Sequence, residues 1–523
     1  MAGVHYPATF AVPLTVRARR VPEGLWRWRA WIVGIALCVG IGAWRFGWIL
    51  AQGGPSGPDP GDWLALGHDL FGERVRAAYT VVPPLVPALS KGASAVLSPL
   101  PGLALVGALA SVAAGPAVFF LGYQAGGIVW GGLVTLAVLF LPYSVGEALG
   151  WGGYPQMLGQ GLMLGCMATL GTALARGGSK TLLFLSALLG VLGLFTSVWT
   201  VASLGVAAPL LFTFAIWYRW VHPKVLRSIF QWWGVPFLLG GMLLAPIYGI
   251  YFSSFAEVPL NPGGLAFGES VAFVFREWPG HAGSVFLVIP LATGLLTYCL
   301  LPWGRITVLH AITVPIIVTA FALHIPTGES RFLGLLEVGI VVGLCAVLND
   351  LWASLQDLQP LHRVLGQGVV LAVTLTFVLF LVVRGHQRTV AAHEWYKVVT
   401  PEVHQALEWL RVNGVPRSVV VASDNPRGFQ YFWWVEGYAR LPAFSASDPK
   451  WMALKDEVWQ NAVALRLVHS TSTDDIVSLV REHRIRYLFL DKRVIKETSH
   501  LVTAGFTPAL ENDTIIVLEW RGE

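Results

Sequence analysis

The chain has 523 residues, of which 55% are hydrophobic and 12% charged, with a formal net charge of +5. A soluble domain has about 25% charged residues, so the composition excludes an ordinary soluble protein and points to a polytopic membrane protein. The basic balance gives no case for nucleic acid, because the lysines and arginines of the apolar part cluster in short loops, where they set orientation in a bilayer.

Arg17, Arg19, Arg20, Arg27 and Arg29 lie before or at the start of the first apolar run, Trp28–Leu50. That run is about 23 residues long, enough to span and longer than a signal-peptide core, and reads as a retained anchor. Further apolar windows fall near 101–121, 126–145, 154–175, 180–198, 200–218, 229–252, 284–301, 306–323, 332–349 and 366–383. The total is about eleven transmembrane helices. The stretch 81–97 is broken by Pro83, Pro84 and Pro87 and carries Lys91, so it reads as a juxtamembrane or re-entrant helix. With eleven spans, the arginine-bearing loops around Arg176, Arg219, Arg305 and Arg363 fall on the same side as the basic N-terminal arm. The positive-inside rule makes that side cytoplasmic. It places the acidic loop 51–80, the loop 324–331 and the C-terminal region outside. Cys38, Cys166, Cys299 and Cys345 lie in apolar windows and read as packing residues.

From about Arg384 the sequence becomes mixed and polar. Residues 1–383 are therefore read as a transmembrane domain, with 51–100 as its first extracytoplasmic loop, and 384–523 as a soluble extracytoplasmic α/β domain. In the latter, Pro401–Val412 and Asp474–His483 have helical apolar spacing or helix-start signals. Val419–Ala422, Tyr487–Leu490 and Thr514–Leu518 are β-rich runs.

The outer loop carries the most chemistry. It reads Gly57-Pro-Asp-Pro-Gly-Asp-Trp63 and runs on through His68, Asp69 and Glu73. Asp59 sits in a turn stiffened by two prolines, which suits an aimed carboxylate. Residues 62–71 read as a short amphipathic helix whose Leu64, Leu66, Leu70 and Phe71 are available to lie on the membrane. Asp62 is either its N-cap or a second catalytic carboxylate. Arg331, in Gly328-Glu-Ser-Arg-Phe332, begins a span at the outer face. A guanidinium there is either a bidentate phosphate ligand or a snorkelling anchor, with Glu329 placed to hold it. Glu147 and Trp151-Gly-Gly-Tyr154-Pro-Gln156 form a polar aromatic turn. It either lines a sugar cavity or belongs to an aromatic belt. Glu337 is an intramembrane carboxylate and so a candidate site. His281, His310 and His324 are scattered and carry no metal motif.

A long first outer loop with an early aspartate and short helix, followed by Tyr79-x-x-x-Pro-Pro-Leu85, resembles the GT-C glycosyltransferases. These include protein O-mannosyltransferases, aminoarabinose transferases and oligosaccharyltransferases. The resemblance extends over most of the chain as architecture: many spans, an outer arginine loop and a C-terminal outer domain. It implies a polyprenyl-phosphate-linked sugar donor, an acceptor on the outer face and an inverting transfer, with Asp59 as base and Asp62 assisting. Arg331 and Glu329 would hold the donor phosphate, and Glu147, Tyr154, Gln156 and Tyr79 would line the cavity. The acidic pair is Asp-x-x-Asp rather than Asp-x-Asp or Glu-x-Asp. That leaves the base and any metal open; no cofactor is certain, and a divalent metal is compatible with the pair. Trp433-Trp434-Val-Glu436-Gly437 faintly resembles the oligosaccharyltransferase Trp-Trp-Asp acceptor motif, but reads better as the core of the α/β domain. A transporter or flippase is the second reading. It is disfavoured by the small number of midplane charges and by the lack of an internal repeat.

Overall fold

The computed structural model describes residues 25–78, 80–217, 220–254, 308–327, 331–449, 452 and 454–522, with isolated helical positions at 269, 272 and 276. Long runs without charge form helices here because in hydrocarbon every backbone N–H and C=O must be satisfied within its own segment. The helices that matter below are α1 (Leu25–Ala51), α2 (Asp59–Leu70), α3 (Leu85–Leu97), α4 (Pro99–Val112), α5 (Gly115–Gly126), α6 (Ile128–Leu139) and α7 (Pro142–Trp151). They continue as α8 (Tyr154–Ala175), α9 (Lys180–Leu194), α10 (Val198–Trp217), α11 (Pro223–Ser254), α12 (Val308–Thr327), α13 (Arg331–Ser354) and α14 (Pro360–Trp395).

Among the described residues, seven helices are long and apolar enough to cross a membrane, or eight if the bent pair α6–α7 counts as one span. Two more of the expected windows coincide with shorter apolar helices, Lys180–Leu194 and Ala311–Thr327. The window 284–301 lies outside the described residues, as do Cys299 and His281. The protein is thus a polytopic integral membrane protein. As expected from its prolines, the 81–97 stretch is a 13-residue helix, too short to span, and it packs between α2 and α4.

α14 runs for 36 residues, about 54 Å at 1.5 Å per residue. This exceeds the roughly 30 Å of a bilayer core. The division expected after Val383 falls inside this helix, which continues unbroken to Trp395. Beyond it come α15 (Pro401–Asn413), β1 (Val419–Ser423), β2 (Ala443–Ala446), α16 (Lys455–His469), α17 (Thr473–His483), β3 (Ile485–Asp491), β4 (Phe506–Glu511) and β5 (Ile515–Trp520). The sheet order is β2-β1-β3-β5-β4. β2, β1 and β3 are parallel, and β5 and β4 are antiparallel. One sheet face packs on α15 through Val403, Leu407 and Leu410; the other packs on α16 and α17 through Leu467, Ile476 and Leu479. Leu64 of α2 and Leu103 of α4 belong to the first of these cores, so the α/β region and the outer loop share one hydrophobic interior.

Candidate functional site

The loop helix starts three residues earlier than expected. α2 begins at Asp59 with Pro58 at its N-cap, and no side chain caps it. Asp62 is therefore not an N-cap but lies in the first turn, where either carboxylate is favoured by the helix dipole. The apolar residues of α2 also divide differently. Leu70 and Phe71 are exposed, but Leu64 and Leu66 are buried, and Leu64 belongs to the core it shares with the α/β region rather than facing lipid. The chain crosses there at Gly437, where a Cβ would run into the carbonyl of Gly61.

Asp59 packs against the turn between α7 and α8. Gly152 sits at φ +95°, a conformation open to glycine, and a Cβ on it would lie 3.1 Å from Asp59 Cβ. Ser56 Oγ donates to the Gly150 carbonyl at 2.6 Å, and Trp63 Nε1 donates to that of Gly152 at 2.8 Å. The same turn presents Trp151, whose ring lies 5.4 Å from the Arg331 guanidinium carbon; Trp199 of α10 lies 5.6 Å from it on another side. Such contacts suit a planar cation. Arg331 is exposed at the first residue of α13, and its carbonyl accepts from Gln156 Nε2 at 3.4 Å. Beside it Gln156, Gln160, Thr200 and Ser203, with Met163, Trp199, Phe332 and Leu335, line a small cavity of about 20 Å³, room for about one water molecule.

Burial pushes the Asp59 carboxyl up to about 7. Arg331 pulls it down and Asp62 adds to the rise. Asp62 is pushed up by burial to about 6, opposed chiefly by Arg76. The two carboxylates thus answer to different arginines. Arg76, which the sequence did not single out, lies 3.3 Å from Asp62, 3.4 Å from Glu436 and 3.2 Å from Glu457. Burial alone would lower its pKa, but these carboxylates raise it overall. Glu436 also accepts from the Ala77 amide at 2.8 Å and the Ala443 amide at 3.3 Å, and burial lifts it to about 8. A second knot lies nearby: His68 Nδ1 is 2.5 Å from Glu73 and 2.9 Å from Lys91.

The remaining candidates separate. Gln156 is at the cavity, and Tyr154 is buried behind Asp59, within its electrostatic reach. Glu147 is not among the cavity-lining residues. It pairs with Arg388 and accepts from the Tyr396 hydroxyl at 3.0 Å, tying α7 to α14. Tyr79 and Glu329 lie outside the described residues. Trp434 is fully buried, with Nε1 donating to the Gly57 carbonyl at 3.0 Å. It and Glu436 act as an interior joint, in line with the core reading of the Trp-Trp segment. No group of three His, Cys, Asp or Glu side chains among the described residues could hold a metal ion. Trp199, Gln160 and Tyr251 were also unmarked in the sequence. Tyr251 lies within electrostatic reach of both Arg331 and Asp62. Each looks like ordinary membrane-helix sequence until the helices are assembled.

No protein-family model matches the chain, and no curated protein matches it in sequence. Solved structures do match in three dimensions. The apo oligosaccharyltransferase of Archaeoglobus fulgidus aligns at 12% identity with a TM-score of 0.55, over 90% of this chain and 70% of that one. ArnT from Cupriavidus metallidurans, bound to undecaprenyl phosphate, aligns at 11% identity with a TM-score of 0.54, over 92% and 97%. The archaeal oligosaccharyltransferase AglB from Archaeoglobus fulgidus, in complex with an inhibitory peptide and a dolichol-phosphate, aligns at 13% identity with a TM-score of 0.52, over 95% and 74%. At these identities the likeness establishes the fold alone: this chain shares the membrane architecture of those structures.

Proposed function

We propose that the protein is a membrane glycosyltransferase that moves a sugar from a polyprenyl-phosphate-linked donor to an acceptor hydroxyl, with inversion, on the extracytoplasmic face. The observation that carries this reading is the meeting of Asp59 and Arg331. They lie far apart in sequence, yet the α7–α8 turn touches both, Gly152 against Asp59 and Trp151 against Arg331, and Arg331 lines a small cavity beside it. Asp59 takes the acceptor proton as the acceptor oxygen attacks the anomeric carbon. The bond from that carbon to the phosphate oxygen breaks, and its electron pair stays on the phosphate. Arg331 meets the charge that gathers there, a job for which its planar fork is suited. A base titrating near 7 is well matched to neutral pH. That ArnT and AglB are seen with polyprenyl phosphates supports this donor class.

In this reading residues 1–383 form the membrane domain, with the N-terminus cytoplasmic, and 384–523 form the outer domain. The test of function is incubation of purified protein with radiolabelled polyprenyl-phosphate sugars. Release of polyprenyl phosphate with label transferred to acceptor or water is expected; no turnover with any of them defeats the proposal. For orientation, a cysteine at the exposed Thr471 should react with an impermeant thiol reagent in intact cells. Labelling only after lysis reverses the topology.

A further inference from the structure

The span formed by α6 and α7 is bent by 54°. A break inside a membrane leaves carbonyls at the end of the first half-helix and amides at the start of the second without intrahelical partners, and lipid cannot satisfy them. Here each set meets a buried charge of the appropriate sign. On the carbonyl side stands Arg45 of α1, which is 2% exposed. It donates to the Leu139 carbonyl at the end of α6 and, at 2.9 Å, to the Ser111 carbonyl near the end of α4. Its guanidinium carbon lies 5.1 Å from the centre of the Phe140 ring. On the amide side stands Glu337 of α13, which is fully buried. It accepts from the Ser144 amide at 2.8 Å and the Tyr143 amide at 3.3 Å. Pro142, the first residue of α7, has no amide to satisfy.

A cation at a helix C-terminus and an anion at a helix N-terminus each oppose the local dipole. What the break supports is also on view. α7 ends at Trp151, which flanks Arg331, and the next residue, Gly152, touches Asp59. We propose that Arg45 and Glu337 are positioning residues that fix the two ends of this broken span, and thereby the place of the Trp151–Gly152 turn that encloses Asp59. The proposal rests on the reading of Asp59 as the base, but it can be tested without turnover.

If the turn loosens, water reaches Asp59 and its titration moves toward that of an ordinary carboxylate. Among the described residues, the groups that face Asp59 are Arg331 from α13, Asp62 from α2 and Tyr154 from α8. None of these is altered in the variants. The experiment is a pH titration of the protonated-carboxyl infrared band that Asp59→Asn removes, in wild type and in Glu337→Ala and Arg45→Gln. Both variants should lower the midpoint by about one pH unit or more, on the scale of ordinary environmental shifts. Glu337→Gln should give a smaller shift than Glu337→Ala, because its one amide oxygen still accepts from one of the two amides. If either deletion proves unfolded, Arg45→Lys serves: one ammonium bridges two carbonyls less well than a guanidinium, so a smaller downward shift is expected in folded protein. An unchanged midpoint in folded variants overturns the proposal. A shifted midpoint in a protein that transfers no sugar defeats the glycosyltransferase reading and leaves the positioning intact.

Discussion

Arg76 and Arg331 both approach α2, one from the loop that follows it and one from across the membrane domain. Arg76 is 3% exposed and is met by Asp62, Glu436 and Glu457 within 3.4 Å. Arg331 is exposed, lies beside a cavity and is flanked by two indole rings. The first arginine has its charge matched by side chains from three segments, so its work is to join the outer loop to the α/β region. The second lies where the proposed reaction would bring the donor phosphate. The contrast teaches that a carboxylate–arginine meeting marks a candidate site only when the fold leaves room beside it.

The sharpest way to break this comparison is to remove one carboxylate from each side. Asp59→Asn should lower turnover by about 10²–10⁴-fold at equal folded protein, the usual scale for a general base. Asp62→Asn should stay within about tenfold of wild type, because Glu436 and Glu457 still face Arg76. A dead Asp62→Asn beside an active Asp59→Asn would exchange the two roles.

Arg331→Lys keeps the charge but loses the planar fork. Turnover should fall by about 10–100-fold, in keeping with a charge-assisted contact worth about 1.5–3 kcal/mol. Wild-type rates in Arg331→Ala would remove it from the phosphate site.

Arg76→Ala tests the closed side. It leaves buried carboxylates uncompensated, a loss on the order of 3–5 kcal/mol, and thermal unfolding in detergent should move down by several degrees. Unchanged melting with lost turnover would shift Arg76 to the reacting centre.

The smallest effects are in pH. Asp59 must be ionised to act as base, so kcat/KM should rise with pH to a plateau above about 7. Asp62→Asn should keep that rising limb. Stability runs the other way. Asp62, Asp59 and Glu436 titrate at about 6, 7 and 8 in the folded protein, above the ordinary carboxylate range. The folded state therefore binds protons more tightly than the unfolded chain. The stability this provides is full at low pH and is lost as pH rises through those values. Melting temperature should be lower at pH 9 than at pH 5.5; the reverse order would mean that these carboxyls are already ionised at the lower pH.

Much of this arrangement was legible in one dimension. Apolar windows fall on helices because in lipid the backbone has few alternatives. Pro83, Pro84 and Pro87 marked a helix too short to span, and Asp474 with Asp475 marked the start of α17. Asp59 stood out because its turn is unusual. Other features depended on contacts across long separations. Nothing local shows that Leu64 meets the α/β region rather than lipid, since an apolar face reads the same for either neighbour. Arg76 looks like any loop arginine until Glu436 and Glu457 arrive. The strands β2 and β4 are short and only partly apolar, so their pattern gave no period to read.

The crossing of Gly437 over Gly61 has a consequence for biogenesis. His68 on α2 contacts the carbonyl of Gly437 across 369 positions of sequence. At about 5–20 residues per second the ribosome needs roughly 20–70 s to make that stretch. Through all that time Leu64 lacks its final cover, and Asp59 stands on a helix that has not docked. α2 therefore cannot dock until the segment around Gly437 has been made, and Asp59 takes its final place only after that.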